Sequence, residues 1–355
     1  MSNNSTLLTV CIPTYNRRNI LDTVLTLIPQ LTDNVSIKII DNNSEMPVSD
    51  ILRDCLTDKI EIIRNHANVG LSGNIIKCFE YCDSEWMWLL SDDDIPAKDA
   101  IHNIISTLER HPDVSMIKYS SNAGRTDLNF QQEVVATGQK DFIAKINNFS
   151  NLLFISSTVC RVSKMREVTK DAYYFTQGFA PHLVFILSHL AAAPDSKVLF
   201  SPLNVVNLGI WDVPGHVTWN SMLVYKSLAD VLYLIRDRED RRILFLKINL
   251  YEHFYKGPIA NLDFKSIIKI IVLAKNDGEE HNMIAEYLST AVFAFWAHSG
   301  SSQRFLIKCA LVSLTIFVLH IPIVNNVIKF FIKNKQPKRI FYYNRYFLFN
   351  KDYRL

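Results

Sequence analysis

The sequence predicts an α/β fold: a doubly wound, mostly parallel sheet with flanking helices, followed by a mainly helical carboxyl-terminal region. Three observations carry this. Short apolar runs alternate with amphipathic helical stretches through the first 120 residues, each run stops at a polar cluster, and the pitch suits right-handed crossovers between parallel strands. In such a sheet the loops after the strands gather on one edge, where ligands bind.

Leu7 to Ile12 is the first strand, closed by Pro13-Thr14-Tyr15-Asn16-Arg17, and Leu21, Val24, Leu25 and Ile28 then repeat at helical spacing. Ser36 to Ile40 is the second strand, ending at Asp41-Asn42-Asn43-Ser44. A short helix through Ile51, Leu52, Cys55 and Leu56 leads to a third strand, Ile60 to Ile63, and to the polar loop Arg64–Gly70. The following helix carries Ile75, Ile76 and Phe79. Trp86 to Leu90 is the fourth strand, followed by a helix whose Ile101, Ile104, Ile105 and Leu108 fit one face. Val114 to Tyr119 closes the series. Beyond residue 120 the pattern loosens: the run Leu152–Ile155 ends at Ser156-Ser157, a His-, Trp- and aromatic-rich stretch runs to Trp219, and 222–300 reads as helices. The expected division is 1–220 for the ligand-binding domain, 221–304 for a helical region and 305–355 for a tail.

At 355 residues the chain has ample core, and 48% hydrophobic against 21% charged residues excludes a disordered polymer. A net charge of +3 is too small to argue for nucleic acid. Six cysteines show no metal-ligand spacing, so reduced core thiols in a cytosolic setting are expected. No basic region followed by a long apolar stretch opens the chain, so no secretory signal is expected. Cys309 to Val324 is apolar except for His320, shorter than the ~20 residues a membrane span needs. From Lys333 onward seven Lys/Arg face one acid, mixed with aromatics. That combination favours peripheral or monotopic attachment to an anionic membrane surface over a core helix or a true span.

The most informative residues are Ser91-Asp92-Asp93-Asp94, directly after the Trp86–Leu90 run. Three adjacent carboxylates repel one another, and a hard cation such as Mg²⁺ or Mn²⁺, shared with substrate phosphates, relieves that repulsion. The bland reading is a solvated acidic turn. Tyr15 has its own bland reading as a packing aromatic, and Asn16, Asn43 and Asp41 as turn formers.

Pro13–Arg17, Asp41–Ser44, Asn68-Val69-Gly70 and Asp92–Asp94, in that order and each at a strand end or helix start, resemble the family 2 glycosyltransferases of the nucleotide-sugar-binding GT-A fold. The resemblance covers roughly 7–120, with a weaker echo to about 220, and within the family is nearest to bacterial transferases of O-antigen or capsule assembly, abequosyltransferase-like proteins included. It implies that Thr14, Tyr15 and Arg17 cradle base and diphosphate, with Arg17 meeting phosphate oxygens. It also implies that Asp41 accepts hydrogen bonds from the base, that Asn43 joins the donor-binding set, and that Asn68 and Gly70 shape the loop beside the nucleotide. Asp92 is expected to face ribose and, with Asp94, to hold Mg²⁺ or Mn²⁺; Asp93 lies between them among the donor-binding residues. Three contiguous acids leave this register open by one position.

The implied function is inverting transfer of a sugar from a nucleotide diphosphate sugar to a hydroxyl of a polyprenyl-diphosphate-linked saccharide, at the cytoplasmic face of the bacterial inner membrane. Such transfer needs a general base. Where the family usually supplies an acid, this chain reads Gln177-Gly178-Phe179-Ala180-Pro181-His182-Leu183. His182 is therefore the candidate base, with Asp171 and Asp212 as fallbacks. A non-catalytic membrane-associated scaffold is one alternative. A metal-dependent phosphotransferase is another, though Asp94-Ile95-Pro96 lacks the residues expected after a nucleophilic aspartate.

Overall fold

The computed structural model describes residues 6–121, 127–176, 178, 180–207, 218–219, 231–249 and 340–341. The chain forms two compact units, Met1–His216 and Val217–Leu355. The first is built on an eight-stranded sheet. Its strands are β1 (Leu8–Thr14), β2 (Val35–Asp41), β3 (Ile60–Arg64), β4 (Trp86–Leu89), β6 (Val114–Ser120), β7 (Val134–Thr137), β8 (Thr158–Arg161) and β9 (Lys197–Asn204), in the order β3-β2-β1-β4-β8-β6-β9-β7. A short pair, β5 (Ile95–Pro96) with β10 (Val206–Asn207), lies outside it.

β1 pairs in parallel with both β2 and β4, and β2 with β3. The sequence expectation of a mostly parallel sheet is met on this side. On the other side β8 runs antiparallel between β4 and β6, and β7 runs antiparallel to β9. The chain lays down β1, β2 and β3 in one direction and then returns to place β4 on the far side of β1. Loops after β1 and β4 therefore leave the sheet at a switch point of the strand order, the place where open α/β sheets have their ligand crevice.

Apolar burial fixes this arrangement. Every residue of β1, β4 and β6 is buried, as a central strand covered on both faces requires. Val10, Ile12, Ile37, Ile39, Trp88 and Leu90 share one cluster with Ile101, Ile104 and Leu108 of α4 (Ala100–Arg110). Fully burying one such side chain stabilises the fold by ~1.5–3 kcal/mol. Helix α1 (Ile20–Leu27) buries Ile20, Val24 and Leu27 in the same cluster.

The other helices are α2 (Val48–Ile51), α3 (Gly70–Tyr81), α5 (Gly138–Lys145), α6 (Phe149–Leu153), α7 (Val162–Arg166), α8 (Thr169–Tyr174) and α9 (Pro181–Ala192). Phe79 of α3 stacks on Phe185 of α9 with ring centroids 4.0 Å apart. The apolar run from Leu152 becomes the end of α6 and a 3₁₀ turn over Ile155–Ser157. Cys11, Cys78, Cys82 and Cys160 are buried free thiols, as the sequence implied. In the second unit, Thr218–Trp219 pairs in parallel with Ile340–Phe341, and a helix spans Arg238–Asn249. Among the described residues no helix is long and apolar enough to cross a membrane. The apolar stretch 305–324 lies outside them.

Candidate active site

Asp92 and Asp93 form the tip of a tight turn whose ends meet where Asp94 N–H points at the Ser91 carbonyl, 3.5 Å away. Thr23 of α1 fastens this turn from below, its hydroxyl donating to the carbonyls of Asp92 (3.2 Å) and Asp94 (3.0 Å). From the loop after β1, Arg17 reaches across the crevice, with Nε 3.9 Å from Asp92 Oδ1 and Nη2 3.8 Å from Asp93 Oδ2. The mutual repulsion expected of the triplet is visible at Asp92. Burial, and then the charge on Asp93, push its carboxyl up to about 7 against the opposing pull of Arg17.

The three acids are not equivalent. The Asp93 side chain is 28% exposed and that of Asp92 10%, whereas Asp94 as a residue is only 2% exposed. Asp94 Oδ2 accepts a 2.5 Å hydrogen bond from Ser156, and Asp93 Oδ1 accepts one of 2.6 Å from Ser91. Asp93 is thus the exposed acid of the three, Asp92 is buried beside Arg17, and Asp94 is buried against Ser156. Of the pair expected from sequence to hold a metal, Asp94 with Asp92, Asp94 is the less exposed and is bonded to Ser156.

The loops after β1 and β2 are tied together. Asn16 N–H donates to Ser44 Oγ at 2.9 Å, and Glu45 N–H donates to Asn16 Oδ1 at 2.8 Å. Asn16 and Asn43 both take left-handed backbone, at φ 54° and 64°, which asparagine tolerates better than most residues. That backbone is the one a turn-forming asparagine adopts, and Asn43 additionally accepts from Arg64 at 3.1 Å.

Asp41 requires a correction. Its carboxylate is fully buried and committed, accepting from Ser44 N–H (2.9 Å), Val48 N–H (3.4 Å) and Arg64 Nη1 (2.7 Å). It folds its own loop, and none of its surface is exposed.

Asn42, which sequence reasoning passed over, is the hub beside it. Its Nδ2 donates to Asn68 Oδ1 (2.7 Å) and the Gly70 carbonyl (3.3 Å), and its Oδ1 accepts from Asn65 Nδ2 (3.0 Å) and Val69 N–H (2.9 Å). A polar residue directly after an apolar strand was the only signal available. Gly70 sits at φ 77° with open space where a side chain would go, so the requirement there is conformational rather than steric. Asn68 accepts from Gly70 N–H at 2.8 Å and shapes this turn as expected. Thr14 Oγ1 is buried beside Asp92 without a hydrogen bond of ordinary geometry, and the Tyr15 backbone faces the same carboxylate.

His182 does not fit the role of base. The ring is buried, its Nε2 lies 3.2 Å from the Leu152 carbonyl, and Nδ1 has no partner. Burial, with Lys118 nearby, lowers its pKa to about 3. An imidazole so placed can neither meet an acceptor hydroxyl nor hold its proton. Asp171 lies in α8, which runs beside the far end of α3: Tyr173 donates to Glu80 at 2.7 Å, and Arg166, just before α8, donates to the Phe79, Glu80 and Cys82 carbonyls. It is not brought to the acid turn. The first turn of α9 holds no acid, and Asp212 lies outside the described residues.

Oxygen-only carboxylates suit a hard divalent cation. Among the described residues no three His, Cys, Asp or Glu side chains converge on a metal-sized point. A cation here would therefore take two protein carboxylates and complete its shell from substrate and water, with the Thr14 hydroxyl buried beside Asp92. The residues fit such an ion.

Residues 9–169 match the family model described as Glycosyl transferase family 2. The abequosyltransferase RfbV of Salmonella typhimurium is 28% identical over 202 residues, covering 51% of this chain and 60% of that protein. The match thus spans less than two thirds of the relative's length. Among solved structures, S. aureus TarS 1–349 has a TM-score of 0.53 at 12% identity, covering 84% of this chain and 93% of that one. The same fragment with UDP-GlcNAc gives a TM-score of 0.55, also at 12% identity and the same coverage. At that identity the likeness is one of fold, and the fold is GT-A.

Proposed function

From the match of residues 9–169 to the glycosyl transferase family 2 model, we propose that the chain transfers a sugar from a nucleotide diphosphate sugar to a hydroxyl of a lipid-linked oligosaccharide. The reaction inverts the anomeric centre, in the assembly of a bacterial O-antigen or capsule. The observation that carries this reading is the acid turn. Asp92 and Asp93 lie at the switch point of the sheet, opposite Arg17 of the loop after β1. The O-antigen assignment rests on the Salmonella relative.

The donor lies in the crevice between the loops after β1 and β4, with Thr14, Tyr15, Asn43, Asn68 and Gly70 along its rim. Asp93, with Asp92, holds Mg²⁺ or Mn²⁺. When bound, that ion neutralises the diphosphate and so eases its departure. Arg17 now balances the two carboxylates; once a cation takes over that task, the guanidinium is free to donate to phosphate oxygens. Asp41 and Asn42 act through the loops they fold. The acceptor hydroxyl attacks the anomeric carbon from the side opposite the diphosphate and gives its proton to a carboxylate, a role we assign to Asp212.

Calorimetry with UDP, GDP, CDP and dTDP, with and without Mn²⁺, tests the reading. One nucleotide should bind more tightly with Mn²⁺. Asp93→Asn should abolish that increment, while Asp94→Asn, whose amide oxygen still accepts from Ser156, should keep it within about threefold. An increment lost in Asp94→Asn and kept in Asp93→Asn would return the metal to Asp94.

A further inference from the structure

Ser156 lies 62 residues beyond Asp94 and is fully buried, yet its hydroxyl touches both ends of the acid turn. Oγ accepts from Ser91 N–H at 2.9 Å and donates to Asp94 Oδ2 at 2.5 Å. Residues 91 and 94 are the first and last of the turn; Asp92 and Asp93 are its two central residues. A single hydroxyl therefore bridges the two ends of the turn, whose Asp92 and Asp94 carbonyls Thr23 also holds.

The clamp is itself held. The Ser156 carbonyl accepts from Trp88 Nε1 at 2.7 Å, tying it to the strand that delivers the acids. Lys118, buried on β6, donates to the Phe154 carbonyl (3.0 Å) and to Thr158 Oγ1 (2.9 Å), which brackets Ser156 two residues on each side. His182 Nε2 lies 3.2 Å from the Leu152 carbonyl, two residues earlier. The carbonyls at the end of α6 are thus capped by a lysine and a histidine, leaving the segment 154–158 little freedom.

We propose that Ser156 is a positioning residue for metal and diphosphate binding, fixing the Asp92–Asp93 pair through Ser91 and Asp94 without touching the ligand. The inference rests on the donor reading given above. Ser91 completes the path, since its backbone is held by Ser156 and its hydroxyl donates to Asp93 Oδ1. Removing the Ser156 hydroxyl takes one hydrogen bond from Ser91 N–H and one from the inward Asp94 carboxylate and unlinks the two ends of the turn.

The test is calorimetry of Ser156→Ala with the tightest-binding member of the same four nucleoside diphosphates, with and without Mn²⁺, beside thermal unfolding. The Mn²⁺-dependent gain in affinity should fall about 10–100-fold while metal-free nucleotide binding stays within about twofold, as for a residue that orients a metal ligand. If Ser156→Ala does not fold, Ser156→Cys, which keeps the volume with a weaker donor, carries the same comparison. A variant that keeps the full Mn²⁺ gain, or that loses metal-free binding equally, overturns the inference. A wild-type protein with no Mn²⁺ gain overturns the donor reading first, and this one with it.

Discussion

At the scale of single residues, His182 shows how far a reactive side chain can be from reactivity. Its sequence position, at the start of a helix where the family usually has an acid, suggested a base. Its environment makes it a neutral brace on the Leu152 carbonyl. The folded pKa, about 3, lies below the ordinary 6.5, so folding favours the neutral ring. That contribution to stability is complete above pH about 6.5 and is lost as the pH falls toward about 3, because the unfolded chain takes up the proton first. Replacing His182 by Leu should therefore shrink the loss of melting temperature between pH about 7 and pH about 4.5, relative to wild type. Equal losses in both proteins would mean that the ring titrates normally and would reopen its candidacy as base. The complementary expectation concerns Asp212. Asp212→Asn should lower turnover by about 10²–10⁴-fold, the usual range for a general base, with donor affinity unchanged. Turnover near the wild-type rate would remove it.

At the scale of elements, what could be read from the sequence follows the physics of burial. β1, β2, β3, β4 and β6 are apolar runs stopped by polar clusters, and the structure finds them within two residues of the expected ends. The helices with one apolar face were equally legible. β8 was not: Thr158-Val159-Cys160-Arg161 is four residues long, without alternation or turn signals, and only its neighbours on both sides make it a strand. The same divide runs through the site. That the strand-end loops would gather on one edge was readable, because parallel strands leave no other choice. Which of three identical acids faces the crevice was not, since the answer depends on Ser156, brought in by β8's pairing with β4. Asp41 repeats the lesson. The register of β2 with β3 sets it opposite Arg64, and that pairing turns an apparent ligand-binding acid into a structural one.

For the whole molecule the question is where the acceptor is met. A lipid-linked saccharide is confined to a membrane surface, so an enzyme that stays there gains effective concentration without any new contact at its site. The apolar run Cys309–Val324 is short for a span, Lys308 interrupts its extension to Phe305, and 327–347 mixes Phe330, Phe331, Phe341, Tyr342 and Tyr343 with Lys329, Lys333, Lys338 and Arg339. An interfacial segment needs both features, aromatics to enter the acyl boundary and cations to meet anionic headgroups at roughly 1 kcal/mol each. Salt screens the second contribution and leaves the first, so the two can be separated. The full chain should sediment with vesicles containing anionic phospholipid, bind neutral vesicles less, and be released only in part by high salt. Truncation after residue 304 should abolish sedimentation while preserving Mn²⁺-dependent nucleotide binding, because the acid turn and its clamp lie wholly within residues 17–158. A full-length protein left in the supernatant at low salt would return 305–324 to a packed helix and leave the acceptor to be recruited by a partner.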